Sequence, residues 1–388
     1  MQIRKDLALI DICHEAMQKK PVPGLTAAII QDGQVTQSCA LGVRDDQETP
    51  MTEETLFEAA STTKPLFAVS FLKQCDRGLV DLDVPVARQG AGGKSGKWSL
   101  DPRFAKVTPR LALTHATGFK NWDDRPAEML FEPGRRFSYS GEGYYMLQHL
   151  LEEKLGKPWP QYMNEAFFGP LGFLPGQSAH AGQSTHAGQS THASQSAHTG
   201  QAAHANAAAQ TAPEAVPEAA SSQLVSGVLW TPEIGARMSL GFGKDGKVVK
   251  RRDEVDQKGR SPEPNAAWSL YANAKIYAQF LTHLMDPADR LGLSEQAFRD
   301  LTTTQRHAYF DIDWACGFGI LQEDPSVLWH WGDNRGFESI VIWDRETRDG
   351  LTVFTNSDSG CACYTEIVRA FISRHAAESI HHFIEHAE

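Results

Sequence analysis

The chain has 388 residues, 41% of them hydrophobic and 22% charged, with a formal net charge of −11 at pH 7. This length and composition are typical of a globular protein with one large domain or two lobes. The acidic balance, without a basic run, argues against nucleic-acid binding, and no stretch of about 18 apolar residues is present to span a membrane.

The compartment is predicted from the N-terminus and the cysteines. Charges interrupt residues 1–11 before an apolar core of signal-peptide length, so we expect no export signal. Six cysteines are scattered along the chain, which suits reduced thiols better than a disulfide framework. Both features predict a cytoplasmic protein.

The first part of the chain predicts a helix, a hairpin and a second helix. Residues 5–19 carry apolar side chains at helical spacing. Two strand-like runs then flank Asp32-Gly33, a dipeptide that favours a β-hairpin turn. From Ser61 onwards the pattern is helical again and ends at Gly78, a typical residue after a helix C-terminus.

The remainder of the chain predicts mixed loop and helix, then strands, then a closing helix. Residues 103–175 are mixed, and an amphipathic helical region is expected from Asn265 to Met285. Strand patterns return after Gly317, and the closing helix is expected from about Tyr364 to His386. The expected strands are Phe318–Leu321, Val327–Trp331, Glu338–Trp343 and Leu351–Thr355.

These elements predict an α+β fold in which strands from both chain ends pair in one antiparallel sheet. Terminal helices would cover a face of that sheet, and a mostly helical lobe would be inserted between the two groups of strands. We assign residues 1–60 and 300–388 to the sheet lobe and residues 61–299 to the helical lobe. A cleft between the lobes is the expected position of an active site.

Residues 176–222 differ in composition from the rest of the chain. A Gly-Gln-Ser-Ala-His-Ala unit recurs with a six-residue period, and an alanine-, proline- and glutamate-rich tail follows. Almost no large apolar side chains are present to offset the entropy of ordering the backbone. We predict a disordered surface insertion within the helical lobe; weak metal binding by its histidines is the alternative.

Ser61 and Lys64 form the most informative local pattern. If a helix begins at Ser61, the spacing places a hydroxyl and an ammonium one turn apart on the same face. A buried lysine beside a serine can lose its own proton and then accept the proton of the hydroxyl. The spacing alone is common, and a serine that caps an ordinary helix is the structural alternative.

Three further motifs follow Ser61 along the chain: Thr114-His115-Ala116-Thr117-Gly118, Tyr139-Ser140-Gly141 and His330-Trp331-Gly332. Together with Thr55-Leu56-Phe57, just before the serine, they resemble the ordered motifs of the penicillin-recognising serine hydrolase superfamily. The most similar branch is that of the class C β-lactamases and family VIII carboxylesterases. The resemblance covers nearly the whole chain outside residues 176–222.

The resemblance implies that Ser61 is the nucleophile of an acyl-enzyme and that Lys64 and Tyr139 are its acid–base partners. The unperturbed pKa of a phenol is about 10, so its anion is scarce at neutral pH. Nearby cations, Lys64 and His330, would lower the pKa of Tyr139 and let the phenolate act as a base. A tyrosine that only packs, with its hydroxyl capped, is the structural alternative.

The strand motif implies the remaining site residues. The backbone N–H groups of Ser61 and Asp333 would form an oxyanion hole, in which a donor typically contributes about 10²–10³ in rate. Gly332 would let substrate approach the strand closely, with Trp331 beside it. His330 would polarise the tyrosine or bind substrate; a strand histidine hydrogen-bonded at a rim is the structural alternative.

Two positions depart from the family pattern. The asparagine of the family's Tyr-x-Asn motif is Gly141 here, which removes an amide that could hold an acylamide substituent. The lysine of its strand motif is His330, a weaker and pH-dependent anchor for a substrate carboxylate. Both changes argue against efficient β-lactam turnover and are compatible with a small ester.

Two other histidine segments are assigned structural roles. His115 invites a triad with Ser61, but in the family this segment resembles a structural turn. The segment His382-Phe383-Ile384-Glu385-His386 has a zinc-binding spacing, and we interpret it as a polar helix end. We therefore expect neither a metal nor another cofactor.

The leading hypothesis is a serine hydrolase that acts on short-chain carboxylic esters through an acyl-enzyme at Ser61. Its partner would be a small ester or amide, with no nucleic acid and no membrane. The first alternative is an amide hydrolase, either a β-lactamase or an amidase or peptidase for D-amino acids. The second alternative is a non-catalytic sensor, related to penicillin-binding proteins, that keeps the cleft for binding alone.

Overall fold

Strands from both ends of the chain build one antiparallel sheet in the computed structural model, which describes residues 8–90, 97–122, 128–174, 224–251 and 263–387. Twelve strands are present in these residues: β1 (Gly24–Gln31), β2 (Gln34–Gly42), β3 (Phe57–Glu58), β4 (Gly241–Phe242), β5 (Val248–Lys250), β6 (Tyr271–Ala272), β7 (Arg306–Tyr309), β8 (Ile312–Trp314), β9 (Gly319–Leu321), β10 (Val327–Asn334), β11 (Phe337–Asp344) and β12 (Gly350–Thr355). Eight of them form the sheet in the order β2-β1-β12-β11-β10-β9-β8-β7. The predicted pairing of N-terminal with C-terminal strands is confirmed by the register of β1 against β12.

Helices cover both faces of this sheet. The α-helices of the described residues are α1 (Leu9–Lys19), α2 (Thr63–Asp76), α3 (Pro109–Leu113), α4 (Gly141–Leu155), α5 (Trp159–Met163), α6 (Pro232–Arg237), α7 (Ala274–Met285), α8 (Glu295–Thr302), α9 (Gly360–Val368) and α10 (Arg374–His386). The terminal helices α1, α9 and α10 bury their apolar sides against one face of the sheet, in a single hydrophobic cluster. The other face packs against α7 and the inserted helices around α2. The predicted α+β architecture with flanking terminal helices is therefore confirmed.

The predicted hairpin at Asp32-Gly33 is confirmed. Gln31 pairs with Gln34, so the loop between β1 and β2 has two residues. Both loop residues have positive φ, 51° at Asp32 and 79° at Gly33. This is the backbone of a type I′ turn, whose twist matches that of the strands it joins.

Two predicted helices have different boundaries in the structure. The region from Asn265 to Met285 becomes helical only at Ala274, because the Asn273 side chain accepts a hydrogen bond from the N–H of Ile276 and caps α7. The predicted closing helix is two helices, since Ser373 caps α10 in the same way. The sequence pattern missed β7 and β8, whose four and three residues are too short for a clear alternation.

The division into lobes at residues 60/61 and 299/300 stays a prediction. Within the segment assigned to the helical lobe, α7 contacts the sheet directly: the Thr352 hydroxyl donates to the Ala274 carbonyl at 2.8 Å. The predicted insertion 176–222 lies outside the described residues. None of the helices in the described ranges has the length and apolarity needed to cross a bilayer.

Candidate active site

A strained turn presents Ser61 at the start of α2. Residues Ala60–Thr62 form a 3₁₀ turn, and α2 begins two residues after the serine rather than at it. Ala60 has φ 51°, a left-handed conformation that costs a non-glycine residue on the order of 1 kcal/mol. Hydroxyl groups hold the turn, as Thr62 donates to the Ala59 carbonyl and Thr63 to the Ala60 carbonyl, both at 2.6 Å. Ser61 is not the cap of α2, so the serine-cap alternative is wrong.

Lys64 lies buried beneath the serine, with 1% of its surface exposed. Its Nζ is 2.8 Å from Oγ of Ser61 and donates to the carbonyl of Ala267 at 3.0 Å. Burial lowers the pKa of Lys64 well below its ordinary value, and no carboxylate of the described residues pairs with it. The neutral amine is therefore favoured, and its lone pair can accept the proton of the Ser61 hydroxyl.

The carbonyl that binds Lys64 lies in a loop that the sequence analysis interpreted as helix. Asn265 accepts a hydrogen bond from the Ala267 N–H, and Gln148 accepts one from the Ala266 N–H, both at 2.8 Å. These side-chain bonds hold the loop in a non-helical path over α2. The signal that could have revealed the loop is Asn273, a favourable N-cap residue eight positions into the supposed helix.

Tyr139 reaches the same site from the segment before α4. The Nζ of Lys64 is 4.8 Å from the centre of its ring, which packs in a tilted arrangement against Trp331 at 4.7 Å and against His115 at 4.3 Å. His115 holds the backbone on both sides of the tyrosine, because its carbonyl accepts from the Ser138 N–H and its Nδ1 from the Ser140 N–H. The structure thus brings Tyr139, Ser61 and Lys64 together and places His115 behind the tyrosine as a support.

His330 lies behind the site in a neutral form. It is fully buried, and its ring centre is 6.2 Å from that of Tyr139. Burial lowers the pKa of His330 well below its ordinary value. Its Nδ1 donates to the Trp331 carbonyl at 2.7 Å. The expectation that His330 is a second cation next to the phenol is therefore wrong, and it does not line the cleft where a substrate would bind.

Gly332 lets β10 approach the serine turn. A Cβ at this position would lie 2.3 Å from the Ala59 carbonyl oxygen and 3.1 Å from the Cβ of Ala60. Only glycine fits this separation, which brings the next residue, Asp333, to the cleft that Ser61 also lines. This placement is consistent with the predicted oxyanion hole, which stays a prediction.

The cleft has a volume of about 320 Å³, and its wall combines aromatic rings, side-chain amides and charged groups. It is lined by Ser61, Lys64, Asn121, Trp122, Tyr139, Lys250, Trp268, Trp331, Asp333, Asn334 and Arg335. The catalytic candidates Ser61, Lys64 and Tyr139 lie among the aromatic rings. Lys250 and Arg335 are two further cations on the wall. The sequence analysis missed Asn121, Trp122, Lys250, Trp268, Asn334 and Arg335. Of these, Asn334 and Arg335 were detectable, because they directly follow the His330-Trp331-Gly332-Asp333 run.

Gly141, the position that departs from the family motif, lies against Trp122. A Cβ at residue 141 would be 2.3 Å from the Trp122 ring, so the indole occupies the space where the family's asparagine side chain would start. The neighbouring Asn121 side chain accepts the Gly141 N–H at 2.9 Å and fixes this arrangement. An aromatic surface thus replaces an amide on this side of the cleft.

The histidines at the end of α10 do come together. Ligand atoms of His382, Glu385 and His386 lie within 4.8 Å of one another, and all three residues are exposed. The Nδ1 of His386 donates to the His382 carbonyl at 2.8 Å, so one of its two nitrogens is already used within the helix. None of the three lines the cleft.

The fold is that of the β-lactamases and the related transpeptidases. The chain belongs to the Beta-lactamase family, which matches it over residues 9–371. The resemblance stated from the motifs is therefore confirmed.

Curated relatives match over shorter stretches. Esterase EstB of Burkholderia gladioli is 33% identical over 119 residues, which are 29% of this chain and 28% of the esterase. Protein flp of Staphylococcus aureus strain MW2 is 24% identical over 177 residues, which are 41% of this chain and 36% of that protein. The matches thus span only about a third of the length of these relatives.

Solved structures share the fold over nearly the whole chain. The octameric penicillin-binding protein homologue from Pyrococcus abyssi has a TM-score of 0.67 at 18% identity, over 93% of this chain and 76% of its own. D-alanine carboxypeptidase AmpC from Burkholderia cenocepacia has a TM-score of 0.65 at 16% identity, over 96% and 99%. D-amino acid amidase from Ochrobactrum anthropi SV3 has a TM-score of 0.63 at 19% identity, over 97% of each chain.

Proposed function

We propose that the protein is a carboxylesterase that hydrolyses short-chain esters through an acyl-enzyme at Ser61. The observation that carries the proposal is the Lys64 amine, buried and 2.8 Å from the serine hydroxyl. Because burial lowers the pKa of Lys64, the amine is available as a base near neutral pH. A base so placed typically contributes about 10²–10⁴ in rate.

Acylation would begin with proton transfer from Ser61 to Lys64 as Oγ bonds to the ester carbonyl carbon. The carbonyl electron pair moves to its oxygen, which the N–H groups of Ser61 and Asp333 would stabilise. When the carbon–alkoxide bond breaks, the proton held by Lys64 passes to the leaving oxygen through the Tyr139 hydroxyl. Water then attacks the acyl carbon, gives a proton to the same base, and the proton returns to Oγ as the Ser61 ester bond breaks.

Two features of the cleft support an ester rather than a β-lactam as substrate. Trp122 occupies the place of an amide that could hold an acylamide substituent, because Gly141 leaves that space open. His330 is neutral and does not line the cleft, so the position of the strand-motif lysine provides no cation for the carboxylate of a β-lactam. The relative from Burkholderia gladioli is named an esterase, which points in the same direction.

The test is hydrolysis of chromogenic short-chain esters by the native protein and by S61A. Ser70 provides a matched control, since it is a buried serine of α2 whose hydroxyl donates to the Phe67 carbonyl at 2.7 Å and does not line the cleft. We expect activity in the native protein and in S70A, and loss of at least about 10³-fold in S61A. Equal hydrolysis by S61A would refute the proposal.

The same panel separates the alternatives. Faster turnover of a chromogenic cephalosporin or of D-amino-acid amides than of esters would favour an amide hydrolase, the function named for the structural neighbour from Ochrobactrum anthropi. Covalent labelling of Ser61 without deacylation would favour the sensor.

A further inference from the structure

One end of the cleft is built by two tightly packed backbone segments. The turn between β10 and β11 contains Arg335 and Gly336, and Gly336 has φ 81°. A Cβ on Gly336 would lie 2.6 Å from the Cα of Gly241, so the turn is in direct contact with β4. Gly241 pairs with Lys250 across the β4–β5 ribbon. The contact therefore fixes Arg335 and Lys250 at the same end of the cleft, where both line the wall.

The charge of Lys250 is neutralised within the protein. Its Nζ is 2.6 Å from Oε1 of Glu58, whose side chain is 11% exposed. The other oxygen of Glu58 accepts a hydrogen bond from Asn334 at 2.6 Å. Each carboxylate oxygen of Glu58 thus has a partner other than Arg335.

The charge of Arg335 is not balanced in this way. The guanidinium is exposed, and no carboxylate among the described residues lies within ion-pair distance of it. Asp333 also lines the cleft and is paired in register with Glu338; burial, together with the charge of Asp333, raises the pKa of the Glu338 carboxyl. Arg335 is therefore a charged side chain on the cleft wall that no carboxylate of the described residues neutralises.

We propose that Arg335 binds a carboxylate carried by the substrate, so that the preferred esters are anionic ones. This inference rests on the proposed esterase function and names the substrate class for it. A guanidinium presents parallel N–H donors that match a carboxylate, and such charge-assisted bonds are stronger than neutral ones. Because the protein has a net charge of −11, its overall field repels anions, and recognition of one requires a local cation such as this.

The test compares esters of equal length that differ only in charge. The first pair is p-nitrophenyl hydrogen glutarate and p-nitrophenyl valerate, with the carboxylate on the acyl side. The second pair is 3-carboxyphenyl butyrate and phenyl butyrate, with the carboxylate on the leaving group. We expect the native protein to prefer the anionic member of at least one pair by about tenfold in kcat/KM, through a lower KM.

The variants assign that preference to one residue. In R335Q the ratio of kcat/KM for the anionic ester to kcat/KM for the neutral ester should fall to about one, and R335K should keep part of the preference. R374Q makes the same change of charge at a residue whose side chain is 86% exposed on α10 and outside the cleft, and it should behave as the native protein. Raising the salt concentration should weaken the preference in the native protein and have no effect in R335Q.

The outcomes separate this inference from the function on which it rests. Equal kcat/KM values for the two members of both pairs, or a preference that persists in R335Q, would overturn the role of Arg335 and leave the esterase proposal intact. Hydrolysis of the neutral ester that is equal in S61A and the native protein would instead refute the esterase proposal.

Discussion

At the residue scale, the chemistry depends on the protonation state of Lys64. The side chain is buried beside Ser61 and bonds to the carbonyl of Ala267, an acceptor that carries no charge. Because no carboxylate of the described residues forms an ion pair with Lys64, burial favours the neutral amine. The lysine itself is therefore the base in this account, and Tyr139 transfers protons without having to be a phenolate.

The arginine variant tests this assignment. We expect K64R to lose about 10²–10⁴ in kcat/KM, as much as K64M, because a guanidinium stays protonated in proteins and cannot accept the Ser61 proton. The measurement is steady-state hydrolysis of a chromogenic ester, with circular dichroism to show that each variant is folded. A K64R protein within about tenfold of the native rate would mean that positive charge, not basicity, is what the site uses.

The spacing of Ser61 and Lys64 was sufficient to predict their contact, since residues three apart share one face of a helical turn. Burial of the lysine was not predictable in the same way. It depends on the Ala267 loop and on Tyr139, which come from distant parts of the chain. The pKa of His330 was not predictable either, because it depends on burial by residues that no local pattern reveals. The sequence analysis therefore treated His330 as a cation.

At the element scale, the contact between β10 and the Ser61 turn decides whether the site forms. Gly332→Ala would place a Cβ 2.3 Å from the Ala59 carbonyl, and backbone cannot move away as a flexible side chain can. We expect a loss of about 1–3 kcal/mol in unfolding free energy and about 10²-fold in kcat/KM, since the predicted oxyanion donor would shift.

Gly227→Ala is the matched control for this change. Its added Cβ meets the end of the Ile234 side chain at 3.3 Å, a contact that can relax. Urea denaturation and ester hydrolysis on both variants give the comparison. A G332A protein as active and as stable as G227A would show that close approach of β10 is not required.

A buried carboxyl at the junction of β11 with α9 should make the stability of the protein depend on pH. Glu338 is buried, and its carboxylate accepts the Cys361 N–H at the start of α9. Burial, together with the charge of Asp333, raises the pKa of Glu338 to about 8. A carboxyl whose pKa is higher in the folded protein than in the unfolded chain favours folding at low pH, and this contribution is lost as pH rises towards the folded value.

Glu338→Gln removes this titration while keeping the shape of the protonated acid. We expect E338Q to match the native protein in stability near pH 5 and to exceed it near pH 8.5 by on the order of 1–4 kcal/mol. Melting temperatures across that range provide the measurement, with Glu378→Gln on the exposed side of α10 as the control. A constant difference between E338Q and the native protein at all pH values would contradict the assigned pKa.

Elements with strong local signals were predictable, and those fixed by distant contacts were not. The Asp32-Gly33 turn and the strands from Val327 to Thr355 follow from turn chemistry and alternation. The loop before α7 was interpreted as helix, because apolar spacing does not reveal the Gln148 and Asn265 side-chain bonds that hold it. The β4–β5 ribbon was not identified either, since its two and three residues show no periodicity.

At the scale of the whole molecule, residues far apart in the chain converge on one cleft. Ser61 comes from the turn before α2, Tyr139 from the segment before α4, and Trp331 and Asp333 from a strand near the C-terminus. Their order matched a known family, and this made the fold and the main site predictable despite the long separations. The walls of the cleft, with Trp122, Lys250 and Arg335, lie outside the motifs and required the structure.

Covalent labelling with a fluorophosphonate, followed by intact and peptide mass spectrometry, tests the central claim most directly. If Lys64 activates Ser61, the native protein gains one adduct on the peptide that contains Ser61, S61A gains none, and K64M reacts at least about 10²-fold more slowly. An adduct at another residue, or equal labelling rates in K64M and the native protein, would contradict the account.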